Sequence, residues 1–158
     1  MKKIFITIAT IGLLGTSVYA ADGGKKTEKT ATVSYAVQND FEGSFSDATN
    51  VTWTVTSNTQ KATFLSNGVK MSAFYNMEGE YLGSTQDVAY SAIDVKAKKE
   101  IASEYAGYDV NEVIKLETNG ANTNFAETVY FVDLKSSAAE VLVRVNQNSD
   151  VYFFQKVK

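Results

Sequence analysis

Glu100 and Glu104 stand four residues apart in a stretch with helical spacing, where two carboxylates share a face and can divide acid and base work. Nothing apolar on that face is placed to raise a pKa, and Lys96, Lys98 and Lys99 lie beside them, so the pair reads as surface charge. Asn76, Glu78 and Glu80 gather three oxygen-bearing side chains around a glycine-containing turn, the ligand type that hard cations such as calcium take. The twelve-residue spacing of a calcium loop is missing there, and a polar hairpin turn accounts for all three without an ion. Asn67-Gly68 and Gly120 fall in hairpins and not between a strand and a helix, so neither makes a phosphate cradle.

Composition narrows the chemistry further. The 158 residues contain no His, no Cys and no Pro, and Arg144 is the one arginine. That removes Ser-His-Asp and thiol nucleophiles, His or Cys zinc sites and disulfides. Carboxylate, lysine, tyrosine and hydroxyl chemistry remains, and no arrangement of those groups singles out a reaction. The reading is therefore of a protein that is not an enzyme, with no catalytic residue, no metal ligand and no cofactor.

Lys2 and Lys3, the apolar stretch Ile4 to Leu14 and the small residues at Val18-Tyr19-Ala20 have the form of a secretory signal peptide over residues 1–20. A membrane anchor is the rival, but the stretch is short and carries Thr7, Thr10, Thr16 and Ser17. Cleavage after Ala20 leaves a periplasmic or secreted chain with no membrane contact. Two of the 15 basic residues leave with the signal, so against 18 acidic residues the net charge becomes −5. Such a charge argues against a nucleic-acid partner. Residues 21–33 read as a flexible polar lead containing Lys25, Lys26 and Lys29.

The elements that must position any site follow from periodicity. Val37, Phe41, Phe45 and Ala48 recur at spacings of four, four and three, which predicts a helix from Ser34 to Ala48. Val51-Thr52-Trp53-Thr54-Val55-Thr56 then alternates as a half-buried strand, with Trp53 on the covered side and largely buried. Strands at Lys61 to Ser66 and Val69 to Asn76 are joined by Asn67-Gly68, and a fourth begins at Glu80. A second helix is expected at Asp94 to Ala106, ended by Gly107, with Ala97, Ile101 and Tyr105 as its apolar stripe. Strands at Tyr108 to Thr118, Thr128 to Lys135, Glu140 to Asn146 and Val151 to Val157 follow. The chain 34–158 thus reads as one α+β domain of two helix-plus-four-strand repeats, about 34–88 and 91–158. They form an antiparallel sheet of about eight strands with two helices on one face and the other face open.

Several of these residues carry a resemblance. Phe41-x3-Phe45-x2-Ala48-x-Asn50-Val51-Thr52-Trp53, Lys61-Ala62-Thr63-Phe64, Asn67-Gly68, Ala73-Phe74-Tyr75-Asn76 with Gly79-Glu80, and Tyr105-x-Gly107-Tyr108-x-Val110-x-Glu112-Val113-Ile114 are found here. Together they resemble the PepSY-like, β-lactamase-inhibitor-protein-like small secreted proteins of Bacteroidota. Ala92-Ile93-Asp94 stands where such proteins usually carry a proline before the second helix. The resemblance implies the same tandem architecture. Inhibitors of that fold insert loop residues into an enzyme, and Glu78 or Asp150 occupies a hairpin suited to an acidic plug, although a solvated turn residue explains either one.

The aromatics and one strand complete the functional reading. Phe74 with Tyr75, Tyr130 with Phe131, and Tyr152 with Phe153 and Phe154 are sequence neighbours on strands, so they occupy both sheet faces. Which of Phe74 and Tyr75 faces the helices stays open. Aromatics on an open sheet suit protein binding, and equally they stiffen cross-strand pairs. Val141, Val143 and Val145 form an unbroken apolar row, which assigns them to the core and Glu140, Leu142 and Arg144 to the open side as a contact patch. The expectation is a non-catalytic exported binding module, inhibitory in one version, that holds a protein or peptide of the cell envelope on the open face. The alternative is a small-molecule or cation-binding envelope protein centred on Asn76 to Glu80.

Overall fold

The computed structural model describes residues 32–121 and 127–158. Residues 1–20, expected above to be a signal peptide, and most of the expected polar lead lie outside the described residues, as does part of the loop after Asn119. Helix α1 spans Tyr35–Ser44; the Ser34 hydroxyl accepts the Val37 N–H at 3.3 Å and so caps an otherwise orphaned donor. Helix α2 spans Val95–Glu104, and the Asp94 carboxylate accepts the Lys96 N–H at 2.7 Å. Each helix ends earlier than its apolar spacing suggests. Gly43 and Ser44 are weak helix formers that stop α1 before Phe45, and Gly107, with φ +86°, closes the turn after α2.

Eight strands form one antiparallel sheet in simple sequence order: β1 Thr49–Val55, β2 Gln60–Ser66, β3 Val69–Tyr75, β4 Tyr81–Asp87, β5 Asp109–Thr118, β6 Thr128–Lys135, β7 Glu140–Val145 and β8 Val151–Lys156. Asn67 and Gly68, at φ +49° and +78°, supply the paired positive dihedrals of the tight hairpin between β2 and β3. The order of one helix and then four strands occurs twice. Equivalent turns join the third and fourth strand of each set. In both, an Asn side-chain oxygen accepts the backbone N–H of the acid four residues on, Asn76 with Glu80 at 2.8 Å and Asn146 with Asp150 at 2.9 Å.

Strand register places both helices on one face. Ala62, Ala73 and Ser84 are successive cross-strand partners, and Ser84 faces Glu117, which shares its side with Val113. Val37 and Phe41 of α1 pack on Ala62, Phe64, Ala73 and Tyr75. Ala97 and Ile101 of α2, together with Ile93, pack on Val113, Val132, Leu134, Val141, Val143 and Val145. Tyr75 is therefore the residue under the helix, and Phe74 points to the other side. Among the described residues no helix is long and apolar enough to cross a membrane.

Two expectations about exposure change. Trp53 does lie on the helix side, edge-on to Phe41 with ring centroids 5.2 Å apart, but it is half-buried. Its strand is the sheet's outer edge with a neighbour on one side alone, and the ten-residue α1 is too short to roof it. The larger correction concerns β7. Leu142 and Glu140 sit on the helix-free side as the alternation requires, yet each is only 1 % exposed. That side is itself apolar across β5 to β8. Leu116, Val129 and Phe131 form a cluster there with Phe154, and Ile114 is buried beside them. On β1, by contrast, Thr52 and Thr54 are exposed on the same side. The helix-free face is open at one end of the sheet and occluded at the other.

Candidate functional site

The pleat fixes what the helix-free face of the second half displays. Opposite the row Val141, Val143 and Val145, strand β7 presents Glu140, Leu142 and Arg144, and β6 presents Phe131, Asp133 and Lys135 against them. Strand β5 adds Glu112 and Ile114, and β4 adds Asp87. Carboxylates thus come one from each of four consecutive strands. Glu112 is the direct cross-strand partner of Asp133, while Asp87 and Glu140 stand diagonal to them. Same-face diagonal neighbours lie about 7–8 Å apart, so the four make a band across the sheet. Apolar residues fill the alternate places, with Ile114 across from Asp87 and Leu142 across from Asp133.

Ion pairs form only at the ends of the band, although the Lys70 and Lys135 charges also act on the central acids, Glu112 and Asp133 respectively. The Lys70 ammonium stands 3.7 Å from Asp87, and those of Lys135 and Lys158 stand 3.7 and 3.9 Å from Glu140. At the centre, Asp133 is 1 % exposed; one carboxylate oxygen accepts from the Asn111 amide at 2.6 Å and the other has no hydrogen-bond partner. Neither Glu112 nor Asp133 has a cation at ion-pair distance among the described residues. Burial, the larger cause, holds the Asp133 carboxyl above the usual aspartate range, opposed by the Asn111 hydrogen bond and reinforced by the Glu140 charge. Glu112 is likewise raised, first by burial and then by Asp87. Both oxygens of Glu140 also lack a hydrogen bond.

The residues singled out from sequence fare unequally. Glu140, Leu142 and Arg144 do share one face, but as parts of a packed surface and not as an exposed rim and centre. Arg144 is half-buried and its guanidinium is engaged by the Glu127 carboxylate, a cross-strand acid. Glu78 is exposed in the turn between β3 and β4, off the sheet face altogether. In that turn the Asn76 amide donates to Glu80 at 2.7 Å and the Glu80 N–H returns to the Asn76 oxygen, so these groups are spent on the turn itself. No group of three His, Cys, Asp or Glu placed to hold a metal occurs among the described residues. Asp150 is tied to Lys96 at 2.6 Å, which lowers its pKa and links the turn to α2. Sequence reasoning missed Asp87, Glu112 and Asp133. The available signal was Asp133 itself, a lone acid inside the apolar run from Val129 to Leu134.

Two open hollows, of about 470 and 530 Å³, lie elsewhere: one beside the Asn146 to Asp150 turn, the other between α1 and the β1 edge at Phe45, Val51 and Trp53. Neither brings acids together.

No protein-family model matches the sequence. No curated protein matches it either. Solved structures do match in shape. A BLIP-like protein from Bacteroides fragilis superposes with a TM-score of 0.64 at 15 % identity, over 78 % of this chain and 86 % of that one. DUF2874 family proteins from Bacteroides uniformis and Bacteroides ovatus reach 0.70 and 0.68 at 15 % and 17 % identity. Each pairing covers 80 % of this chain, with 91 % and 89 % of the respective partners. The eight-stranded sheet with two helices on one face is thus the fold of the BLIP-like and DUF2874 proteins of Bacteroides.

Proposed function

We propose that this chain is a non-catalytic, exported binding module that holds a protein or peptide on the helix-free face of its sheet. The observation that carries the reading is exposed aromatic area at the β8 edge of that face, where Tyr152, the cross-strand partner of Arg144, is 52 % exposed and Phe154 is half-buried on the same side. Aromatic and apolar area interrupted by a few charges is what protein interfaces use. Absence of His and Cys from the sequence, and hollows without converging acids, support a binding role over catalysis. Likeness to a BLIP-like protein supports a protein partner, and inhibition is one form such binding takes; fold alone transfers no activity. Export rests on the signal-peptide form of residues 1–20, with maturation after Ala20 to a periplasmic or secreted protein.

Site-specific photo-crosslinking in the cell envelope tests this reading. A benzophenone side chain placed at Arg144, on the helix-free face, should trap a discrete protein adduct, whereas one at Lys99 on α2 should not. Equal adducts from both positions, or none from Arg144, would count against the face assignment.

A further inference from the structure

We propose that the free edge of strand β1 takes up an extended segment of another polypeptide as a ninth, antiparallel strand, with an apolar residue set into the hollow between α1 and β1 and a lysine or arginine beside Glu42. This surface lies on the helix side, at the opposite end of the sheet from Tyr152 and Arg144, so it stands or falls apart from the reading of the helix-free face.

The edge itself is the first observation. Strand β1 is bonded to β2 alone, and no described strand covers its other side. The Thr56 N–H donates to the Thr59 carbonyl at 2.9 Å, which fixes the alternation of the ladder: Thr54 with Lys61 is a hydrogen-bonded pair, while Trp53 with Ala62 and Val55 with Gln60 are not. The N–H and C=O groups of Trp53 and Val55 therefore point away from β2, toward the open edge. Natural edges are commonly blunted by lysine, proline or a bulge. From Asn50 to Val55 there is no charge and no proline, and the register shift of β1 lies before Thr52. The other edge, β8, carries Lys156 and a register shift at its middle. The second observation is a receptacle on the matching side. Residues set opposite Trp53 and Val55 on an added strand project to the same face as those two side chains. That face holds the hollow of about 530 Å³ lined by Phe41, Glu42, Phe45, Val51 and Trp53. Val51 is exposed there, and Phe45 and Trp53 are half-buried. Strand addition takes its affinity from main-chain hydrogen bonds and its selectivity from such pockets for alternate side chains. Charge decides the occupant. Residues 32–60 hold Asp40, Glu42 and Asp47 and no lysine or arginine, and none of the three acids has a cation at ion-pair distance among the described residues. Two such edges would repel each other, which disfavours a second copy, whereas a basic segment is attracted.

The test titrates two capped octapeptides, alternating Val-Lys and alternating Val-Glu, into the protein from Ala21 onward, with Trp53, the one tryptophan of the chain, as the fluorescent reporter. The Val-Lys peptide should move Trp53 emission saturably to shorter wavelength as the added strand covers the ring, and should bind at least about tenfold more tightly than Val-Glu. In antiparallel addition the valines that face the hollow turn their amides to β1 and the lysine amides face away. N-methylation of the valines should therefore abolish the shift, and N-methylation of the lysines should spare it. Glu42→Gln should weaken Val-Lys binding by about threefold, the scale of one exposed ion pair, while Glu104→Gln, the same charge change on α2, should leave it unaltered. Circular dichroism melts verify that both variants are folded. Equal behaviour of the two methylated peptides would overturn strand addition, and equal weakening by Glu42→Gln and Glu104→Gln would mean attraction to net charge alone and overturn the site. No shift at all would overturn the proposal: sedimentation as a dimer would then assign the edge to a second copy, and a shift that appears after removal of residues 21–31 would assign it to the chain's own lead.

Discussion

Truncating Leu142 to alanine is expected to cost about 3–4 kcal/mol, and the figure can be worked from its surroundings. The side chain is 1 % exposed, and its strand is paired on both sides, by β6 and β8. Losing the branched end of leucine forfeits roughly 2.4 kcal/mol of transfer free energy at about 0.8 kcal/mol per methylene-sized group. A cavity term adds to that, because Val141 and Val143 are fixed into the helix layer and β7 has no freedom to shift and fill the gap. At about 4 °C per kcal/mol for a domain of this size, the midpoint should fall by roughly 12–16 °C. Urea titration followed by circular dichroism measures it directly, with an unchanged m-value confirming that the denatured state is unaffected. Arg144→Ala, two residues away, removes a half-exposed ion pair and should cost no more than about 1 kcal/mol. Were Leu142→Ala also within about 1 kcal/mol of the parent, the side chain would not be packed, and the second apolar layer derived from it would fall.

Gly83→Ala should destabilise by about 3 kcal/mol, because the new Cβ would stand 2.3 Å from the Glu117 carbonyl oxygen of the paired strand β5; a variant as stable as the parent in denaturant would deny that close approach. Trp53→Ala should cost about 2 kcal/mol, below the 3–5 of a fully buried aromatic, and Trp53 emission should lie between the buried and free-water extremes. Asp133 has the opposite pH signature from a salt-bridged acid. Its folded pKa lies above the ordinary value of 3.8, so unfolding releases a proton in that window and stability falls as pH rises through it. Asp133→Asn should therefore gain on the parent as pH rises above the ordinary value of 3.8 and be the more stable at neutral pH, as paired melts would record; a constant difference from there to neutral pH would contradict the buried charge.

The sequence by itself determined the helices, the strands and their pairing order. Apolar spacings of four and three from Val37 to Ala48 and at Ala97 and Ile101, the Val141-Val143-Val145 alternation and the Asn67-Gly68 turn are local signals. Local signals suffice when every strand pairs with its neighbour in the chain. They also settled which side of β7 meets α2, since a one-residue slip would turn three valines to the wrong face. Burial on the far side was not legible, because alternation tells two faces apart without saying what becomes of either. Leu142 flanked by Glu140 and Arg144 reads as an exposed patch in one dimension. It is the partners across the sheet, Asp133 on one side and Gln155 on the other, with Phe131 and Phe154 nearby, that enclose it. The acid band is a creature of register in the same way. Asp87, Glu112, Asp133 and Glu140 are scattered over more than fifty residues, and only the stacking of four antiparallel strands sets them side by side, where burial and a neighbouring acid hold the carboxyls of Glu112 and Asp133 above their ordinary range.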